Sequence, residues 1–265
     1  ELQIELEKIK TSFDSVPSKM FVQARNRANP FESLKGEMFQ NRAALKLVEI
    51  DRICDLIYTR PDCWLKSDEK DKREPLYFGD ICAGPGGFTE YMLHKYAWMA
   101  KGFGFTLAGS HDFNLAKFNP QALPHSFLPF YGVDGMGDVT VTENLKDFRR
   151  LIRHETNGDM LHVVLCDGGF DVTGKENKQE LLSQQIILCQ IIVGLTTLRK
   201  GGVFLCKTFN TFLRPTIECL YFLYVFFEEV ALIKPNQSRP ANSEKYVVAR
   251  GFRGLGGERE REDGE

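Results

Sequence analysis

The chain has no positive charge to spare. Its 34 lysines and arginines face 36 aspartates and glutamates, a formal net charge of −2. That balance argues against a protein that coats long nucleic acid by charge alone. Seven cysteines form no C-x-x-C pair and lack zinc-type spacing, so no metal site is expected. Cys82, Cys166 and Cys206 each end an apolar run and read as small core residues in a reducing compartment. The most apolar runs, Ile186–Leu198 and Ile217–Phe227, are too short to span a bilayer, and the second carries Glu218. No secretory leader and no internal repeat is visible. The glycines fit neither G-x-G-x-x-G nor G-x-x-x-x-G-K-[ST], so the dinucleotide and P-loop readings lose their main support. A soluble intracellular domain is expected.

What is present is enough apolar residue, 43% of 265, for one large α/β domain or two small ones. The most informative stretch runs from Leu76 to Trp98. It reads as a buried strand (Leu76–Cys82), a glycine-rich turn (Ala83–Gly87) and a helix from near Phe88. Glycines 84, 86 and 87 let backbone approach a ligand, and Pro85 stiffens the turn. The helix start offers unpaired N–H groups. Alone, the pattern fits a plain turn as well as a small-molecule cradle. A strand ending in Asp80 before such a turn is also what a cradle for S-adenosylmethionine looks like.

Upstream, residues 1–12 have helical character, and 13–35 suit a surface loop. Between Pro17 and Lys46 six basic residues face two acidic ones. That local excess is either a solvated face or a dock for a short anion. A helix is expected over Glu37–Tyr58, with Leu47, Ile50, Cys54 and Ile57 on one face. Lys46 falls on the shoulder of that stripe, roughly 40° from Ile50, where a lysine ordinarily snorkels to solvent. Residues 59–75 suit a surface connection. Downstream, strands are expected at Lys101–Leu107, Phe127–Val133, Leu161–Cys166, Val203–Cys206, Val230–Ile233 and Lys245–Ala249. Helices are expected at Thr142–Glu155, with Thr142 as N-cap, and at Glu180–Leu198 and Ile217–Glu228.

This alternation implies an α/β fold, a single doubly wound, mainly parallel sheet with an N-terminal helical extension. Ligands of such sheets bind outside the carboxyl ends of the strands. That rule gathers the glycine turn, Asp167 and Lys207 in one place. Singly, each residue has a structural explanation. Lys207 would pair with a carboxylate at the sheet's end, and Asp before Gly-Gly is common turn chemistry. Beside a glycine cradle, however, a lysine next to a second cation can have its pKa lowered enough to serve as a general base.

Five motifs follow in order: N-R-A-A-L-K (Asn41–Lys46), D-I-C-A-G-P-G-G-F (Asp80–Phe88), C-D-G-G-F (Cys166–Phe170), C-K-T-F (Cys206–Phe209) and R-P-A-N-S-E-K-Y-V-V (Arg239–Val248). From about Lys10 to Gly251 the chain thus resembles the cap-specific mRNA 2′-O-methyltransferases of the FtsJ-like Rossmann-fold family. The resemblance implies a catalytic tetrad of Lys46, Asp167, Lys207 and Glu244, with Lys207 as base and its pKa lowered by Lys46. It implies S-adenosyl-L-methionine as cofactor, held by Asn41, Cys82, Ala83, Gly84, Pro85, Gly86, Gly87, Phe88, Gly137 and Asp138. It also implies 7-methylguanosine-capped RNA as partner, met by Lys10, Thr11, Ser12, Phe13, Asp14, Arg25, Asn177, Lys178, Gln179 and Asn242. Residues 1–36 would form the cap-contacting extension, 37–251 the catalytic domain and 252–265 a disordered tail. Nuclear action away from membranes is expected, with transcription-machinery partners reached through regions outside this chain. A 2′-O-methyltransferase for the second cap nucleotide or for ribosomal or transfer RNA stays open as an alternative. So does a cap-binding module without catalysis, whose mark would be a lost tetrad lysine.

Overall fold

A computed structural model describes residues 2–33, 38–66, 74–110, 112–169 and 178–256. Helices α1 (Leu2–Ser12) and α2 (Ser18–Ala28) lead to α3 (Arg42–Ile53) and the short α4 (Asp62–Leu65). Strand β1 (Leu76–Ile81) is followed by α5 (Gly87–Tyr96), β2 (Ala100–Phe105), β3 (Phe127–Phe130) and α6 (Thr142–Glu155). Then come β4 (Leu161–Cys166), α7 (Gln179–Thr197), β5 (Leu198–Thr208), α8 (Arg214–Phe226), β6 (Phe227–Ile233) and β7 (Lys245–Phe252). The strands form one sheet in the order β3-β2-β1-β4-β5-β7-β6. All neighbours are parallel except at β7, which runs against both β5 and β6.

β1 and β4 are buried at every position, as expected of parallel strands covered on both faces. Side chains alternate between two cores. Phe78, Leu165, Leu205 and Tyr246 pack under α3 and α5, with Leu47, Ile50 and Met92. Ile81, Val164, Cys166 and Phe204 pack under α6 and α7, with Phe148, Ile187 and Ile191. Cys166 and Cys206 are free buried thiols, as the apolar runs ending in them imply.

Several expectations need correction. The segment 13–35 is not a loop, because α2 occupies Ser18–Ala28 between 3-10 turns at Phe13–Ser15 and Pro30–Ser33. Pro17 precedes its first turn, where a missing N–H does no harm. None of its residues is buried, so it carries no apolar stripe to betray it. Helix α3 starts at Arg42 rather than Glu37, because the Asn41 side chain caps it by accepting from the Ala43 N–H at 3.0 Å. It stops at Ile53, where Asp55 and Leu56 turn to φ of 57° and 64°. Buried Asp51 then accepts from the N–H groups of Tyr58 and Thr59. The 59–75 connection is not wholly superficial, since Trp64 on α4 is buried.

Strand β5 begins at Leu198, with Gly201 and Gly202 inside it, opposite a register irregularity in β4. Helix α6 has Val141 as its cap residue, and Thr142 is its first helical residue. Helix α7, Gln179–Thr197, lies within one residue of the expected Glu180–Leu198 at each end. Among the described residues it is the one helix long and apolar enough to cross a membrane. Here its inner face, Ile187, Ile191 and Val193, lies in the second core. Strand β7 runs on to buried Phe252. Residues 257–265 of the expected tail lie outside the described residues.

Candidate active site

Ile81 of β1 pairs with Cys166 of β4, and Cys166 pairs with Cys206 of β5. Asp167 and Lys207 therefore leave adjacent strands side by side. The strand order reverses between β1 and β4, the position where doubly wound sheets open a crevice.

The four tetrad residues meet as two ion pairs. Lys207 Nζ lies 3.2 Å from Asp167 Oδ1 and donates to the Asp167 carbonyl at 2.6 Å. Lys46 Nζ lies 2.6 Å from Glu244 Oε1. It is bound inward rather than snorkelling, with its side chain only 17% exposed. The pairs also sense each other. Burial of Lys207 favours its neutral form, but the charges of Asp167 and Glu244 outweigh burial and raise its pKa. That is opposite to the lowering expected from Lys46, because two carboxylates flank this lysine. Burial pushes Glu244 up, yet Lys46 and Lys207 pull it down further, and its carboxyl ends below the ordinary range.

Two residues complete the cluster that motif reading missed. The Tyr246 hydroxyl donates to Asp167 Oδ1 at 2.8 Å, and the Lys46 ammonium stands 6.0 Å from the Tyr246 ring centre. Ser238 Oγ donates to Glu244 Oε1. Period-two alternation through Tyr246 and Val248 was a usable signal for the tyrosine. Ser238, in a loop, had none.

The glycine turn follows. Cys82 takes φ 56°, the Gly84–Pro85 peptide is cis, and Gly86 takes φ 103°. The Gly86 N–H donates to the Ala83 carbonyl at 2.7 Å, and the Pro85 carbonyl accepts from the Asn114 N–H at 3.0 Å. Asn41 belongs to the same wall, because a Cβ on Gly87 would stand 2.1 Å from its Oδ1. Phe88 turns its ring into the core, 6.2 Å from that of Tyr246. Gly137, at φ 73°, approaches so closely that a Cβ would stand 1.8 Å from the Thr106 carbonyl oxygen. Asp138 Oδ1 accepts from the Thr140 N–H and hydroxyl, both at 2.8 Å. Burial raises the Cys82 thiol, while the charges of Asp138 and Lys207 both bear on it. The glycine turn, the 137–138 turn and the tetrad thus lie close enough for charges of the last two to act on Cys82.

Asp80 has a role that the sequence did not disclose. It is fully buried, and its Oδ2 accepts from the Thr89 N–H at 2.9 Å and hydroxyl at 2.6 Å. It therefore ties the first turn of α5 to the end of β1. Burial pushes its pKa up to about 8, against the pull of Thr89 and with help from the Asp167 charge. An unfolded aspartate titrates near 4. The stability from keeping Asp80 protonated is thus full below about pH 4 and lost as pH rises through about 8. Asp80→Asn is expected to flatten the melting-temperature profile across that window. A slope equal to wild type would refute the assignment.

The residues expected to meet RNA are more dispersed. Lys10–Asp14 span the end of α1 and the turn after it, and Phe13 is 46% exposed. Lys10 shares a cleft with Lys178, Glu180, Asn210 and Phe212. Gln179 Oε1 accepts from the Ser243 hydroxyl at 3.3 Å, and Asn242 Oδ1 accepts from the Glu244 N–H at 2.9 Å. That chain joins the start of α7 to the tetrad loop. Arg25 lies on α2, and its buried Nε has no hydrogen-bond partner among the described residues. Asn177 lies outside the described residues.

Comparison with known proteins follows the same lines. A family model described as FtsJ-like methyltransferase matches residues 39–252. Proteins named cap-specific mRNA (nucleoside-2′-O-)-methyltransferase 1 are 49% identical over 250 residues in Xenopus laevis and 46% over 249 in Homo sapiens, each covering 92% of this chain. The Dictyostelium discoideum protein of that name is 41% identical over 266 residues, covering 95%. The chain spans 29%, 30% and 34% of these relatives' lengths. A solved Plasmodium falciparum protein described as a ribosomal RNA methyltransferase shares the fold, with a TM-score of 0.52 at 17% identity, covering 82% of this chain and all of that one.

Proposed function

Because this chain belongs to the FtsJ-like methyltransferase family, we propose that it methylates the ribose 2′-hydroxyl of the first transcribed nucleotide of 7-methylguanosine-capped mRNA. S-adenosylmethionine is the proposed donor, cap-1 the product and the nucleus the site of action. The observation that carries the reading is the largely enclosed Lys46–Glu244 and Lys207–Asp167 array at the strand ends, beside a glycine-rich turn. The names of relatives sharing nearly half its residues support the cap as substrate.

The turns suit a ligand held by backbone, because glycine lets Gly87 pack against the Asn41 side chain and Gly137 against the Thr106 carbonyl, where no Cβ would fit. The backbone of Ala83–Gly87 and of Gly137–Asp138, with Asn41, would hold it. The bound donor supplies a sulfonium-activated methyl. Lys207 Nζ, as the free amine, would take the ribose 2′-hydroxyl proton as that oxygen accepts the methyl, leaving the donor a neutral thioether. Asp167, hydrogen-bonded by Tyr246, would fix the direction of Lys207. Lys207 rests protonated, so it must shed a proton before each cycle. A cationic donor favours that release. Lys10–Asp14, Arg25, Lys178, Gln179 and Asn242 are assigned to the capped end, whose triphosphate bridge suits the local basic excess.

Labelled methyl transfer to a short capped RNA tests the proposal. Label is expected on the first transcribed ribose after nuclease mapping, and only with the 7-methylguanosine cap. Equal labelling of uncapped RNA would favour a general RNA 2′-O-methyltransferase, and label on the second ribose a different position.

A further inference from the structure

The N-terminal extension does more than lie beside the site. Glu32, in the 3-10 turn before α3, has a side chain only 10% exposed and holds two arginines. Its Oε2 lies 2.6 Å from Arg42 Nη1, and its Oε1 accepts from Arg239 Nη2 at 3.0 Å and Nε at 3.1 Å. Arg42 stands one turn before Lys46 on α3. Arg239 stands in the loop that leads to Glu244.

The same loop is held twice more. Arg42 Nη2 donates to the Gln237 carbonyl at 2.6 Å. Glu49 accepts from the Asn236 N–H and side-chain amide at 2.8 and 2.7 Å, and from the Gln237 N–H at 3.1 Å. Between Gln237 and Arg239 sits Ser238, whose hydroxyl meets the Glu244 carboxylate. A continuous path therefore runs from Glu32 through Arg239 and Ser238 to Glu244 and Lys46.

We propose that Glu32 is a positioning residue: it clamps the Gln237–Arg239 loop onto α3, and so keeps Ser238, Glu244 and Lys46 in register. The claim deepens the proposed function and rests on it for its kinetic consequence. Arg42 and Arg239 both lower the Glu32 pKa against the opposing effect of burial, so the clamp stays charged at neutral pH. The Glu32 carboxylate is nearly enclosed while Arg239 is 44% exposed, and the two-nitrogen contact from Arg239 together with the Arg42 contact makes the hold directional. Glu32 touches neither reacting atom. Its effect must pass through Glu244.

Two readouts separate positioning from general support. The first needs no turnover. Lys46 in the 265-residue chain is labelled by a small acylating reagent at neutral pH, with Lys101, paired with Glu155, as internal reference. Glu32→Gln is expected to raise Lys46 labelling severalfold and leave Lys101 unchanged, because the partner of Lys46 is no longer held. The second is kinetic. Glu32→Gln should lower kcat by about 10- to 100-fold while the donor KM stays within about twofold. Glu32→Gln/Ser238→Ala should lose no more than the worse single change, since both act through Glu244.

Lys46 labelling equal to wild type, or losses of Glu32→Gln and Ser238→Ala that simply multiply, would overturn the proposal. If Glu32→Gln does not fold, Arg239→Lys, which keeps the charge and loses the fork, takes its place with the same expectations. Wild type that transfers no methyl to capped RNA would sink the functional reading alone, and the labelling experiment would still decide the clamp.

Discussion

Lys207→Ala is expected to reduce methyl transfer by about 10²- to 10⁴-fold, the range of a lost general base, with donor affinity nearly unchanged. Lys207→Arg is the sharper form of the test. A guanidinium keeps the charge opposite Asp167, yet cannot release a proton at accessible pH. If Lys207 served only as an electrostatic partner, arginine would retain much of the rate. If it takes the 2′-hydroxyl proton, arginine will be as inactive as alanine. The pH profile follows from the same geometry. Asp167 and Glu244 hold the Lys207 pKa above its ordinary value despite burial, so the neutral form is scarce at pH 7. Wild-type turnover at saturating substrate should rise as pH increases on the alkaline side. A flat profile, or an active arginine variant, would remove Lys207 from the proton path and leave it a positioning role.

Gly137→Ala is expected to cost most of the donor affinity. The residue sits at φ 73°, and its Cβ would lie 1.8 Å from the Thr106 carbonyl oxygen. Left-handed φ alone costs an L-residue about 1–2 kcal/mol. The remaining cost is displacement of backbone, since the obstacle is a carbonyl and not a movable side chain. Gly135 provides the control. It has φ 72° but open space around its Cβ position, so Gly135→Ala meets only the backbone strain. Titration of both variants with S-adenosylhomocysteine should show a loss of at least about tenfold for Gly137→Ala, matching about 1.4 kcal/mol, and far less for Gly135→Ala. Equal losses would mean that close approach of this turn to the end of β2 does not shape the donor site.

What was readable in the sequence followed burial. β1 and β4 are buried along their whole length and mostly apolar because both faces are covered, and their ends lead into the glycine turn and Asp167. Lys207 followed from the same rule on β5. The unread part lies where local pattern gives way to distant contacts. Lys46 looked like a snorkelling lysine because its helix alone does not show Glu244 arriving from the other end of the chain. Its direction became clear only through motif resemblance. The Lys207 pKa is raised rather than lowered for a similar reason, since the sequence places a cation near it without showing how closely two carboxylates approach. Helix α2, which buries none of its residues, left no periodic signature. Asp80 looked like the end of a strand, and its tie to Thr89 needed the turn's three-dimensional path.

The antiparallel strand β7 has a consequence for when the protein becomes competent. Lys207 pairs with Tyr246 across β5 and β7, so this strand begins where its neighbour ends, and Glu244 enters the cleft from there. Lys46 comes from the third helix, and its partner arrives with the final strand. The acid–base array closes only once β7 has paired with β5, a contact between segments far apart in the sequence. Such long-range closure is late and slow relative to local structure. Without that pairing Lys46 lacks Glu244 and Asp167 lacks Tyr246, so neither ion pair has its full set of contacts until β7 is in place.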